Sequence, residues 1–225
     1  MSRHDEPSQR AGAVATGARS SSFPDAGSPT RLGAAAGSPG GRSDARWLEH
    51  PMITSWAARA LAALRLLTGF IFLWAFLDKL FGLRYTTPSA KAWIHGGSPT
   101  RGFLKSVDVG PLQRPLNAIA GTWWADWLFM LGLAGIGLAV VLGIGQRLSA
   151  VFGTVLLLLM WASEWPPART TSHGSPSSST NPIVDYHIVY AASLIALAAT
   201  YAGHTWGLGR VWARLPLVRK FRWLQ

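Results

Sequence analysis

Four long apolar runs, separated by polar punctuation, dominate the chain beyond residue 55. The first extends from Trp56 to Leu83, with its apolar core at Leu66–Leu77; the second is Trp123–Gly145, the third Leu148–Trp165 and the fourth Asn181–Gly203. At about 1.5 Å per residue, each is long enough as a helix to cross a ~30 Å hydrocarbon layer. Gln146 and Arg147 leave room only for a tight turn, so the second and third runs pair as an antiparallel hairpin. Pro166 and Pro167 stop the third run, where a helix would lose its backbone donors. Asn181 suits a helix cap and Pro182 a first helical turn. The pattern predicts an all-α fold, a four-helix transmembrane bundle. Two small-residue ridges, Gly135–Ala139–Gly143 and Ala192–Ala196–Thr200, are its expected helix contacts.

The polar segments divide the chain further. Residues 1–50 are rich in Ser, Gly, Pro and Arg without apolar periodicity, which predicts a disordered tail. Met52 offers a second reading of where translation starts. Residues 55–205 form the membrane domain, and residues 206–225 a basic tail interleaved with Trp206, Trp212 and Trp223 that suits an anionic cytoplasmic leaflet. In the long first loop, Leu112, Leu116 and Ile119 fall at helical spacing, so a membrane-associated segment is expected there. Thr170–Thr180 is Ser-rich, low in complexity and expected to be mobile.

Composition narrows the function classes. Of 225 residues, 49% are hydrophobic and 14% charged, far from the balance of a soluble domain. The absence of cysteine excludes disulfides, thiolate metal sites and iron–sulfur clusters. A net charge of +11 invites a nucleic-acid reading, but the cations lie in tails and loops beside the apolar runs, where lipid and orientation account for them. Near the spans, nine basic residues fall on the side of the tails and the 146–147 turn against six on the other. The expected placement is therefore the cell membrane, multi-pass, with both termini cytoplasmic.

This topology brings chemistry to one level. Asp78 ends the first run, Asp126 starts the second, Glu164 ends the third, and Asp185 with His187 starts the fourth, so all four helices present a carboxylate at the same, external face. Separate carboxylates facing lipid are costly, which favours a shared polar pocket with Lys79 and Arg84 as counter-charges. Asp78 and Asp126 suit helix ends as well as such a pocket. Glu164, Asp185 and His187 are the catalytic candidates; Asp78, Lys79 and Asp126 are candidates for binding the cofactor. An acid, a base and an imidazole beside apolar helices suit a quinone headgroup, whose reduction consumes protons. One histidine among scattered carboxylates is a weak metal signature, and none is assigned. Haem is disfavoured because His204 lies at the opposite end of the fourth run from His187. Arg65, near the start of the first run, is expected to snorkel to the interface.

Five stretches stand out together: LRLLTGFIFLWAFLDKLFG (64–82), WIHGGSPTRGFLK (93–105), DWLFMLGLAGIGLAVVLGIGQRLSAVFGT (126–154), MWASEWPP (160–167) and NPIVDYHIVYA (181–191). In this order they resemble the DoxX/DoxD membrane-protein family, the actinobacterial type similar to thiosulfate:quinone oxidoreductase large subunits. The resemblance implies a membrane subunit of a quinone-linked oxidoreductase, working with a separate small subunit or soluble redox partner. The rival expectation is a non-catalytic scaffold that docks a soluble redox partner through its basic tail or first loop.

Overall fold

The computed structural model describes residues 54–224; the expected disordered tail and the Met52 start lie outside the described residues. The described residues are helical, with a single isolated bridge between Thr170 and Pro176 and no strand. Four long helices carry the architecture: α1 (Ser55–Phe81), α4 (Trp123–Leu142), α5 (Gln146–Glu164) and α6 (Tyr186–Ala199). Between α1 and α4 lie two short helices, α2 (Arg101–Lys105) and α3 (Gln113–Ile119), the latter holding Leu116 and Ile119 of the expected spacing, with Leu112 just outside as its N-cap. Two more, α7 (Gly209–Trp212) and α8 (Pro216–Lys220), follow α6.

Local chemistry sets the helix limits. The Thr54 hydroxyl accepts from the Ala57 amide to open α1, and Gly82 closes it in the left-handed region at φ 66°. A Cβ on Gly82 would lie 2.6 Å from the Ser89 Cα, so glycine serves both the cap and the crossing chain. At the start of α6 the expectation fails by four residues. The Asn181 side chain accepts from the amides of Ile183 and Val184 in a turn of its own. Asp185 is the cap, accepting from the His187 and Ile188 amides. Both residues are good caps, and the carboxylate, favoured by the helix dipole, takes the position. The helix is consequently 14 residues, about 21 Å.

α1 packs against α4, α4 against α5, and α5 against α6. The core is made by Phe72, Leu133, Ile136, Val140, Leu157 and Leu194. Close approach of α1 and α4 rests on glycines other than the expected ones. A Cβ on Gly69 would come 2.8 Å from the Val141 amide nitrogen, and one on Gly137 2.7 Å from that of Leu73. Gly135 has nothing within 4 Å, and Ala192 and Ala196 are exposed, so those two ridges face outward for much of their length.

The outside of the bundle is greasier than a water-facing surface allows. Leu67, Leu128, Leu131 and Phe152 are each more than 60% exposed, and they continue along the helices with Phe70, Val155, Val189 and Ile195. α1, α4 and α5 are long and apolar enough to cross a membrane, whereas α6 is apolar but shorter. The chain is a multi-pass membrane protein.

Candidate functional site

The bundle has two polar ends of different construction. At one end gather the loops 84–122 and 166–185, together with Asp78, Asp126, Glu164, Asp185 and His187. The four carboxylates do share a level, but they do not share one pocket. Asp78, almost fully buried, accepts from the Tyr85 and Thr86 amides at 3.2 and 3.0 Å and from the Thr86 hydroxyl at 2.6 Å. Asp126 accepts from the Ser98 and Thr100 hydroxyls at 2.9 and 2.6 Å and from the Thr100 amide at 3.0 Å. Asp78 through both oxygens and Asp126 through Oδ1 fold the first loop onto a helix end, the structural role that the sequence left open for both. Lys79 is half-buried with its ammonium 5.9 Å from the Phe129 ring centre, and it makes no ion pair among the described residues. Arg84 is exposed, and among the described residues its side chain reaches the Ser89 hydroxyl at 3.4 Å.

Glu164, Asp185 and His187 do come together. Each offers one ligating atom, and these atoms lie within 4.8 Å of one another. The end of α5 supplies Glu164 and the opening turn of α6 supplies the other two, so the α5–α6 packing makes the cluster. His187 is 1% exposed, and its Nδ1 lies 2.8 Å from Asp185 Oδ2. Asp185 thus uses Oδ1 to cap α6 and Oδ2 to hold the imidazole. With Nδ1 engaged, the ring's other nitrogen, Nε2, is buried and has no partner among the described residues. Glu164 is exposed and accepts from the Tyr186 hydroxyl at 2.9 Å, while the Tyr186 ring lies over His187 with centres 4.0 Å apart. Trp161 ties the two sides by donating from Nε1 to the Ile183 carbonyl at 2.9 Å.

Tyr186 and Trp161 escaped the sequence reading. Tyr186 sits between Asp185 and His187 in the chain, and the carboxylate–Tyr–His run was its only signal. The Ser-rich loop is also better tied than its composition suggests. The Ser172 amide donates to Asp108 Oδ2 at 2.8 Å and its hydroxyl to Oδ1. These bonds hold the Asp108 carboxyl below its ordinary pKa.

The opposite end centres on a residue placed differently from expectation. Arg65 does not snorkel; its side chain is fully buried. Nη1 donates to the carbonyls of Val140, at 2.6 Å, and Val141. Nη2 donates to Trp206 O at 2.8 Å and more loosely to Thr205 O at 3.4 Å. The last turn of α4 presents carbonyls with acceptor capacity to spare, Val140 O taking the Gly143 amide as well, and the negative end of its dipole, and these satisfy a guanidinium in place of a carboxylate. Gly143 and Gly203 make this possible, since a Cβ on Gly203 would sit 2.2 Å from the Gly143 carbonyl oxygen.

Residues 60–164, a little under half of the chain, match the DoxX family model. No curated protein and no solved structure matches the chain. The matched stretch includes Arg65, Asp78, Lys79, Asp126 and Glu164 and stops short of Asp185 and His187.

Proposed function

From a DoxX-like segment over residues 60–164, we propose that this membrane protein is the quinone-binding subunit of an oxidoreductase, with α6 as its fourth span. The observation that carries the reading is the buried His187, with Nδ1 held by Asp185 and Nε2 left without a partner. A buried polar atom without a partner is costly, and a quinone carbonyl oxygen accepts from Nε2 when both ring nitrogens of His187 carry a proton. Tyr186 and Trp161 give the cluster the aromatic, part-apolar surroundings that a quinone ring needs.

Reduction of a quinone to a quinol takes two electrons and two protons, one on each carbonyl oxygen. The protein's part is the protons. His187, with both ring nitrogens protonated, delivers one from Nε2 while Asp185 holds Nδ1 and orients the ring, and the second reaches the other carbonyl oxygen from water. Glu164, exposed to water and bonded to Tyr186, replenishes the proton. In this reading the two electrons come from a reduced sulfur anion of the thiosulfate type on a partner subunit, two such anions joining through a new S–S bond as they are oxidised.

The test is thiosulfate-dependent reduction of a menaquinone analogue in membranes with and without the chain, each with soluble extract. Asp185→Asn keeps the α6 cap but removes the charge, and His187→Gln keeps volume and polarity. Both are expected to lower turnover at least ~100-fold with the protein still inserted. Undiminished turnover in both would remove the site assignment. The scaffold reading draws on the exposed basic tail and on the structural use of Asp78 and Asp126. It predicts instead that deleting Arg210–Gln225 abolishes association with a soluble partner while the two substitutions change stability alone.

A further inference from the structure

We propose that the C-terminal segment from Gly209 to Leu224 is a binding surface for acidic phospholipid headgroups. No carboxylate side chain follows Asp185 in the sequence, whereas five cations fall between Arg210 and Arg222. Arg210, Arg214, Arg219 and Lys220 are exposed, and none makes an ion pair among the described residues. Between them Val211, Leu217 and Trp223 are 59%, 62% and 54% exposed, with Leu215 and Phe221 beside them. Apolar side chains left uncovered together on one short segment, unlike singly scattered ones, mark an interaction surface. Cations interleaved with uncovered apolar side chains fit the boundary between headgroups and acyl chains.

The segment's level is set by its attachments. The Leu208 amide donates to the carbonyl of Leu142, the last residue of a span, at 2.8 Å. Trp212 Nε1 closes the segment on itself by donating to Leu224 O at 2.8 Å, and Val218 is buried. The chain therefore leaves the bundle where hydrocarbon gives way to headgroups. That position favours lipid over a soluble acidic protein as the occupant, because exposed leucines and a tryptophan at the end of a span need an apolar layer to cover them as well as an anion. The surface is joined to the bundle through Arg65, which holds the Trp206 carbonyl immediately upstream.

The full chain has no cysteine, so Val211→Cys gives a single attachment point for a fluorophore. The labelled protein is placed in bilayers of equal parts phosphatidylglycerol and phosphatidylcholine, with bromine on the acyl chains of one lipid or the other. Quenching is expected to be several-fold stronger from brominated phosphatidylglycerol. The preference should fall towards one at high salt and in the Arg210→Gln, Arg214→Gln, Arg219→Gln, Lys220→Gln protein. The expected loss is up to about fivefold in relative affinity per cation removed. If that protein does not fold, the Arg219→Gln, Lys220→Gln pair makes the same test on α8 alone. Equal quenching by both lipids, or a preference unchanged by the substitutions, overturns the proposal. Absence of quenching by either lipid also overturns it, and would assign the surface to a water-borne partner. None of these readouts depends on quinone turnover.

Discussion

Removing the Arg65 guanidinium should loosen one end of the bundle. Its partners are the Val140, Val141 and Trp206 carbonyls, with Thr205 at the limit of hydrogen-bond distance. A hydrogen bond to a charged group contributes about 1.5–3 kcal/mol net, and truncating a buried charged partner costs about 3–5 kcal/mol because the groups left behind stay dry. Arg65→Leu keeps apolar bulk but leaves these carbonyls facing a packed interior, where Gly143 and Gly203 admit little water. The expected loss is about 3–5 kcal/mol, on the order of 10 °C in Tm for a domain of this size. Arg65→Lys keeps the charge, but its single ammonium cannot fork between the α4 end and the 205–206 carbonyls, so about half of that loss is expected. Unfolding in detergent, followed by circular dichroism, gives the magnitude. Hydrogen exchange should report faster opening at 140–143 and 205–209 before the Asp78 end responds. Stability of the Arg65→Leu protein within about 0.5 kcal/mol of the parent, or uniform loss of protection, would refute the assignment of Arg65 as the tie between the two segments.

Three other outcomes follow from the same geometry. Gly203→Ala should cost about 3 kcal/mol or prevent folding, since its Cβ would lie 2.2 Å from the Gly143 oxygen, whereas Gly135→Ala, with nothing within 4 Å, should be neutral or gain up to ~1 kcal/mol of helix propensity; thermal melts of the two separate close packing from a mere small-residue pattern. Burial first, and Arg210 second, hold the His204 imidazole below its ordinary pKa of 6.5, so the folded protein resists a proton that the unfolded chain accepts. Stability should be full above pH about 6.5 and fall as the pH drops through that value towards the lower folded pKa, and His204→Gln should flatten this part of the profile in pH-dependent melts. Chelator dialysis should leave quinone turnover unchanged if Glu164, Asp185 and His187 handle protons; loss of turnover restored by a divalent ion would make their 4.8 Å cluster a metal centre.

The composition of the His187 site was legible in the sequence, but its geometry was not. Antiparallel runs must bring the end of the third beside the start of the fourth, so Glu164, Asp185 and His187 could be grouped from order alone. Tyr186 could not be counted in, because side-chain direction in the first helical turn depends on where the helix begins. That point was decided by competition between Asn181 and Asp185 as caps.

Apolar run length and turn chemistry by themselves determined that the chain beyond residue 54 is helical, that it meets a membrane in several passes, and that Asp78, Asp126, Glu164 and Asp185 gather at one end. Those are one-dimensional properties, fixed by how many residues cross an apolar layer and where polar residues interrupt them. Tertiary structure alone decided how each polar group is satisfied. Asp78 and Asp126 turn to the first loop because its amides and hydroxyls fold over them. Arg65 stays inside because the end of α4 and the 205–206 turn bring carbonyl acceptors to it across a glycine contact. A buried charge is settled by the partners that packing delivers, and those partners lie 75 and 141 residues away in the chain.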